Sequence, residues 1–405
     1  MILPQRIVHK RFRWWLAIIL PLLGLATQCN SPTLPLPTTS TSSEVRIALL
    51  APNSGELVTV GRVMRNGLIM AFDEWNNRGG ALNQQLETVL YDTDCTFESS
   101  QHTTQQALDD GLQFIIGPLC SEAAIATATL VESTQAVAIL PAATHPLVTI
   151  NHQGQTRAGI FKVSYGYTLQ GQAAAQFAYH WLQVSSVALL SRPGDDYSSE
   201  LTDVFARHFS AEGGRIVYRA TYTSGDTDFT ETLMAINQSG AELLYLPAPS
   251  AEVANQVARQ LNELNLSNSS SSESGLILLG SDSWASDQLD LTATTGSYFP
   301  VQFSFEANRP LSQSWRDNYK SIYAIEPNTL AALSYDAANI LIEAIEQTGT
   351  LEPGQVARTL EQSTFKGITG QITFDHQHNP VKPIPFVQVV DGQLIYVASE
   401  DQASN

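Results

Sequence analysis

From Val45 onward, short unbroken apolar runs alternate with longer stretches in which apolar positions recur every three or four residues. The short runs are VRIALLAP, LETVLYD, QFIIGP, AVAILPA, SVALLS, RIVYRATY, ELLYLPA and LILLGS. Runs of this length without polar alternation predict strands covered on both faces, as in a parallel sheet. Helices are predicted over 58–77, 99–110, 166–181, 195–211, 229–238 and 251–265. Several end at glycine, which accepts the left-handed backbone that closes a helix. The pattern gives two successive βα arrays of similar size, with a change near Val163. Three later helices, over 312–323, 328–347 and 353–362, follow the second array, and at least one is expected to return to the first. The Ser-rich run 267–274 reads as a solvated surface loop.

Within the first array, Gln113 to Pro146 reads as one parallel βαβ unit: apolar run, polar turn, helix-length segment, apolar run, polar turn. Its turns, Leu119-Cys120-Ser121 and Ala142-Ala143-Thr144, follow the C-terminal ends of neighbouring strands. Open α/β sheets bind ligands at that edge. Ser121 is expected to cap the helix that follows, where free backbone N–H groups and the helix dipole favour an anion such as a carboxylate. Thr144 adds a second hydroxyl. The plainer alternative is a cap and a turn with no ligand.

The chain has 405 residues, 43% hydrophobic and 15% charged, with net charge −18, enough for two domains with cores of their own. The first thirteen residues carry only positive charge (Arg6, Lys10, Arg11, Arg13), so without them 17 basic side chains face 39 acidic ones. Such a body is a poor partner for nucleic acid or an anionic lipid surface. The basic start, the apolar run Trp14 to Ala26 and the small residues after it read as an export signal, too short and too broken by Pro21 for a membrane span. Cleavage after Ala26 is one route. The other is a lipobox-like Leu25-Ala26-Thr27-Gln28-Cys29, with lipid on Cys29, although Gln28 departs from the small residue usual there. The lipoprotein is favoured because residues 30–43 have the Pro/Ser/Thr composition of a tether. With Cys29 taken by lipid, Cys95 and Cys120 remain as a pair at strand ends in an oxidising compartment, the alternative being two free buried thiols.

Other motifs carry less. His376 and His378 are spaced like a metal clip but have no further ligand nearby in sequence, and they read as a solvated turn. Asp92 and Asp94 lack the ligand alternation of a calcium loop. No GxSxG elbow and no phosphate-binding glycine loop is present, so neither enzyme motif is met.

The order and spacing of APNSGELVTVG, NNRGGALNQQLETVLYDTDC, DDGLQFIIGPLCSEA, ILPAATHP, the GDDY of Gly194 to Tyr197, and TGQITFDHQHNP resemble the type I periplasmic solute-binding proteins, in particular the leucine/isoleucine/valine-binding proteins of ABC importers. The resemblance covers nearly all of Val45 to Ser399. It implies an α/β fold of two doubly wound parallel-sheet lobes joined by three crossover strands: 44–163 plus 303–372 in lobe 1, 164–302 plus 373–400 in lobe 2, after a signal (1–28) and tether (29–43). It implies no catalytic residue and no cofactor or metal. By resemblance, Ser121 with the backbone of Leu119 and Cys120 holds a ligand carboxylate. Ala142 offers its carbonyl, and Thr144 its hydroxyl and N–H. Tyr197 closes over the ligand and Asp282 meets its ammonium. The paired cysteines of the family fall on Cys95 and Cys120. Two positions depart: Val60 and Pro249 stand where branched-chain binders carry tyrosines, so the side-chain pocket is altered.

The expected function is capture of a branched-chain amino acid or close relative by an exported monomer, held to the membrane only through lipid and serving an ABC permease. A ligand-sensing envelope receptor of the same fold, or a binder of amides or urea, is the alternative. Fold alone does not separate them.

Overall fold

The computed structural model describes residues 44–268, 275–307 and 310–400. The export signal, the tether, Cys29 and most of the Ser-rich run therefore lie outside the described residues. Among the described residues, no helix is long and apolar enough to cross a membrane.

The first array runs β1 (Val45–Ala51), α1 (Val58–Asn76), β2 (Leu86–Asp92), α2 (Phe97–Asp109), β3 (Phe114–Ile116), α3 (Ser121–Glu132), β4 (Val137–Leu140) and β5 (Ile160–Lys162). Its sheet has the order β2-β1-β3-β4-β5 and is parallel throughout. The second array is α4 (Tyr167–Gln176), β6 (Ser186–Ser191), α5 (Asp196–Ala211), β7 (Arg215–Thr221), α6 (Thr230–Gln238), β8 (Leu243–Tyr245), α7 (Ala251–Glu263), β9 (Ile277–Leu279) and β10 (Tyr298–Pro300). Then come α8 (Pro310–Tyr323), α9 (Thr329–Thr348), α10 (Pro353–Gln362), β11 (Phe365–Gly367), β12 (Gly370–Phe374), β13 (Pro380–Val381), β14 (Ile384–Val390) and β15 (Gln393–Glu400). The second sheet has the order β15-β14-β10-β9-β8-β6-β7, with the β14–β15 hairpin closing it in antiparallel fashion.

The chain passes between the two sheets three times: after β5, after β10, and between β12 and β14. The middle passage is driven by burial. Leu333, Ala337, Leu341 and Ile345 of α9, with Val356 and Leu360 of α10, share one core with Leu68 and Phe72 of α1 and Ile47 and Leu49 of β1. Each large aliphatic or aromatic side chain so buried contributes roughly 1.5–3 kcal/mol. Asn328 caps α9 by accepting the Ala331 N–H, and Gly349 ends it at φ 72°. Gly61 is required by packing, since a Cβ there would lie 1.7 Å from the Pro52 carbonyl oxygen. Asp336, buried in α9, anchors the β11–β12 turn just ahead of the third passage by accepting the N–H groups of Ile368 and Thr369 at 2.8 and 2.9 Å.

Three local expectations change. The helix predicted over 166–181 is α-helical only to Gln176 and finishes as a π-turn, Phe177–Trp181. Ser267 is not solvated: it is buried and bridges to Leu276. His376 is exposed, whereas His378 is buried in its turn, stacked on Phe161 at 4.3 Å with Nδ1 2.9 Å from the Ile160 carbonyl. A ring that tiles β5 has an apolar neighbour, which residue spacing alone does not reveal.

Candidate functional site

The loops after β3 and β4 lie side by side because those strands pair in parallel. Here Ser121 departs from expectation. Cys120 occupies the N-cap position of α3 and Ser121 is the first helical residue. The Ser121 hydroxyl turns across to the second loop and accepts the N–H groups of Thr144 and His145 at 3.2 and 3.3 Å. It staples two loops instead of capping its own helix. No side chain caps α3, so its first-turn N–H groups lack the usual side-chain acceptor at a helix start. Cys120 is bridged to Cys95, with Cα atoms 5.3 Å apart, which ties the loop after β2 to the start of α3. Leu119 packs on the core of the first sheet. Ala142 is partly exposed in its turn, and the neighbouring Ala143 carbonyl accepts the Ser164 hydroxyl at 2.8 Å.

On the second sheet, Asp282 begins a short 3-10 turn after β9. Its Oδ1 accepts from Gln170 Nε2 at 2.8 Å and from the Tyr197 hydroxyl at 2.5 Å, and its Oδ2 accepts from Gln302 Nε2 at 2.7 Å. Gln170 also takes the Asp282 N–H at 2.9 Å through its amide oxygen. All three donors are neutral. Burial, then the Asp282 charge beside it, raises the Tyr197 phenol well above its ordinary pKa, so Tyr197 is a donor at any physiological pH.

Tyr167 links the two sets. It is buried at the start of α4, its ring edge-on to His145 at 5.7 Å and to Tyr197 at 5.1 Å, and it interacts with the Thr144 side chain. Burial pushes its phenol up to about 12. Val60 and Pro249 are partly buried and bring no ring, so Tyr167 and Tyr197 are the aromatic wall of this region. Beside Thr144 and Tyr167 lies a cavity of about 60 Å³, also lined by Lys162, Gly166, Asp375 and Asn379. Lys162 is 1% exposed, with Nζ 3.5 Å from the carbonyls of Thr144 and His145. Gly166 permits this approach, as a Cβ there would lie 2.8 Å from the Thr144 carbonyl oxygen.

The sequence named Ser121, Thr144, Tyr197 and Asp282, and the structure adds Gln170, Gln302, Tyr167 and Lys162 as their neighbours, which the sequence did not single out. A charge inside the apolar run IFKV and two rings in SYGYT were the only available signals. Nothing in the sequence marks the two glutamines. Among the described residues, no group of three or more His, Cys, Asp or Glu side chains is placed to hold a metal ion.

Residues 44–393 match the family model described as periplasmic binding protein. A leucine-, isoleucine-, valine-, threonine- and alanine-binding protein of Pseudomonas aeruginosa is 24% identical over 333 residues, 82% of this chain and 86% of that protein. The crystal structure of the leucine-binding protein LivK of Thermotoga maritima superposes with a TM-score of 0.69 at 26% identity, covering 88% of this chain and 99% of that one. An ABC-transporter solute-binding protein of Rhodopseudomonas palustris, in complex with 3,4-dihydroxybenzoic acid, has the same fold: TM-score 0.69 and 20% identity over 88% of this chain and 97% of that one.

Proposed function

Because the chain belongs to the periplasmic binding protein family, and so is a solute-binding protein and not an enzyme, we propose that it captures an α-amino acid between two hinged lobes, 44–163 plus 303–372 and 164–302 plus 373–400, and presents it to an ABC permease. The observation that carries this reading is the pair of opposite chemistries at the two sheet edges. An uncapped helix start beside Ser121 and Thr144 suits a carboxylate, and the Asp282 carboxylate suits an ammonium. An ionised carboxylate offers about four acceptor positions. Asp282 uses two on Oδ1 and one on Oδ2, which leaves one on Oδ2 for a ligand. In this reading the Thr144 N–H exchanges Ser121 for the ligand carboxylate on binding, while Tyr167 and Tyr197 pack on its side chain. The relatives that bind branched-chain amino acids support this ligand class. Export by the N-terminal signal, lipid on Cys29, and action as a monomer complete the proposal.

A second reading is favoured by the neutral donors around Asp282. A carboxylate so satisfied does not require a cation, and an aromatic acid bearing hydroxyl groups would fit the same Tyr167–Tyr197 wall.

The test is a thermal-shift screen of protein stripped of ligand by unfolding and refolding, against the amino acids, amides, urea, polyamines and hydroxybenzoates. A tight binder raises the melting temperature by mass action. Amino acids are expected to do so. In Asp282→Asn the amide must turn an N–H toward Gln170, Tyr197 or Gln302, all of them donors, and the ammonium loses its partner charge. Amino-acid affinity should then fall by about 2 kcal/mol or more, roughly thirtyfold. Stabilisation by hydroxybenzoates or urea alone, or unchanged amino-acid affinity in Asp282→Asn, refutes the amino-acid reading.

A further inference from the structure

We propose that Gln302 is a positioning residue that couples Asp282, the partner of the ligand ammonium in this reading, to the segments passing between the sheets; the ligand arm of this inference rests on the function proposed above. Gln302 lies two residues beyond β10, where the chain leaves the second sheet, and Tyr165 lies three residues beyond β5, where it leaves the first. The Gln302 amide spans the two passages like one rung of a β-ladder. Its Oε1 accepts the Tyr165 N–H at 3.0 Å, and its Nε2 donates to the Tyr165 carbonyl at 3.2 Å. The same Nε2 gives its second hydrogen to Asp282 Oδ2 at 2.7 Å. Both hydrogens of the amide are thus committed, one to the backbone of a passage and one to the carboxylate.

The surroundings make this arrangement directional. Val301, next to Gln302, is held by its N–H to the Pro385 carbonyl at the start of β14, while Phe303 already packs with Trp315 and Tyr319 of α8. Tyr165 is fully buried, so its backbone cannot trade the amide for water. Val163 packs in the core of the first sheet and Tyr165 in that of the second, and Val301 and Phe303 likewise belong to different cores, so a rotation of one sheet against the other bends the chain at Gln302 itself, and its amide must then turn or lose a hydrogen bond to Tyr165. In either case the donor on Asp282 Oδ2 moves. The reverse holds as well: an ammonium drawing on Oδ2 changes the hold on Gln302 and favours one arrangement of the two passages. A ligand moves a conformational equilibrium only through such a difference in contacts. Gln170 and Tyr197 cannot serve this way, because both lie inside helices of the second array and not where the chain changes core.

The test uses Gln302→Leu and Gln302→Glu in the stripped full chain, with L-leucine as probe. Amide exchange at Tyr165 and Asp282 is measured without ligand, and contraction by small-angle scattering is measured with and without leucine. In Gln302→Leu, exchange should rise at Tyr165 and also at Asp282, whose own N–H is bonded to Gln170. Leucine affinity should fall about tenfold, with a smaller contraction at saturation. Gln302→Glu keeps the acceptor for Tyr165 but sets a carboxyl against Asp282. The groups whose charge faces Asp282 are the phenols of Tyr165, Tyr167, Tyr197 and Tyr245, which stay neutral from pH 5 to 8. The carboxyl pair therefore takes up a proton as pH falls, and the shared hydrogen restores the bond. Asp282 protection and leucine affinity in Gln302→Glu should recover between pH 8 and 5, with no such recovery in the wild type. A filler role for Gln302 would give no pH dependence. Raised exchange confined to Tyr165, or wild-type affinity and contraction in Gln302→Leu, overturns the coupling. If the wild type ignores leucine, the leucine reading fails while the exchange measurements still decide the coupling.

Discussion

Removing the Cys95–Cys120 disulfide should lower stability by about 3 kcal/mol, the entropy of closing a loop of this length in the unfolded chain. The bridge spans 25 residues, and that segment includes α2 and β3. Because β2 and β3 flank β1 on opposite sides, the bond reaches over the end of the central strand. It fixes the start of α3, the element whose free N–H groups are assigned to the ligand. Denaturant unfolding of Cys95→Ser/Cys120→Ser against the oxidised wild type measures the loss, and dithiothreitol should shift the wild type but not the double variant. Peptide mapping without reduction should recover Cys95 joined to Cys120. Two alkylatable thiols at these positions in protein taken from the cell envelope would refute the bridge. The effect on ligand affinity should be smaller than that of Asp282→Asn, since Ser121 keeps its hydrogen bonds to Thr144 and His145.

The strands were legible in the sequence from short-range pattern, whereas the disulfide, 25 residues apart, came from counting the cysteines and from the family resemblance. Buried parallel strands must be apolar on both faces, so VRIALLA and SVALLS announce themselves. The βαβ unit around α3 follows from their spacing. Ser121 is decided by contacts that are distant in sequence. A serine at a helix start is correctly read as polar and well placed, but its rotamer is decided by the nearest unsatisfied donors, and those come from Thr144 and His145, more than twenty residues away.

Gln170 and Gln302 were illegible for a related reason. A glutamine fits most surface positions, and what makes these two functional candidates is the carboxylate each meets, 112 and 20 residues distant in sequence. His378 was misread because a turn was equated with solvent, while Phe161 supplied a ring to cover it. Val60 and Pro249 were read as losses to the pocket. Tyr167, at the start of α4, supplies a ring from elsewhere in the chain.

Lys162→Met should stabilise the unliganded protein near pH 7, with the gain shrinking as pH rises above about 8. The Lys162 ammonium is fully buried at the end of β5, and burial lowers its pKa from 10.5 to about 8, with Asp375 and Glu200 opposing the drop. Other groups do not disturb the comparison. Glu200 is itself raised by burial but remains a carboxylate at alkaline pH, and burial holds His145 below its ordinary value, so it is neutral there. Below pH 8 Lys162 is protonated in both the folded and unfolded chain, and the folded state bears the full cost of the buried charge. Between pH 8 and 10.5 the folded protein gives up the proton first. The unfolded chain then binds more protons, so this side chain makes stability rise with pH. Across that window the linkage amounts to about 3 kcal/mol. Methionine has similar volume and no charge, and replacing buried ions by apolar groups of matching size is often stabilising by roughly 1–4 kcal/mol. Denaturation midpoints of wild type and Lys162→Met from pH 6 to 10.5 check this. The variant should lead at pH 6 to 7 and the two curves should converge by pH 10. A difference independent of pH would mean that Lys162 is solvated, and that the cavity beside Thr144 and Tyr167 opens to water in solution.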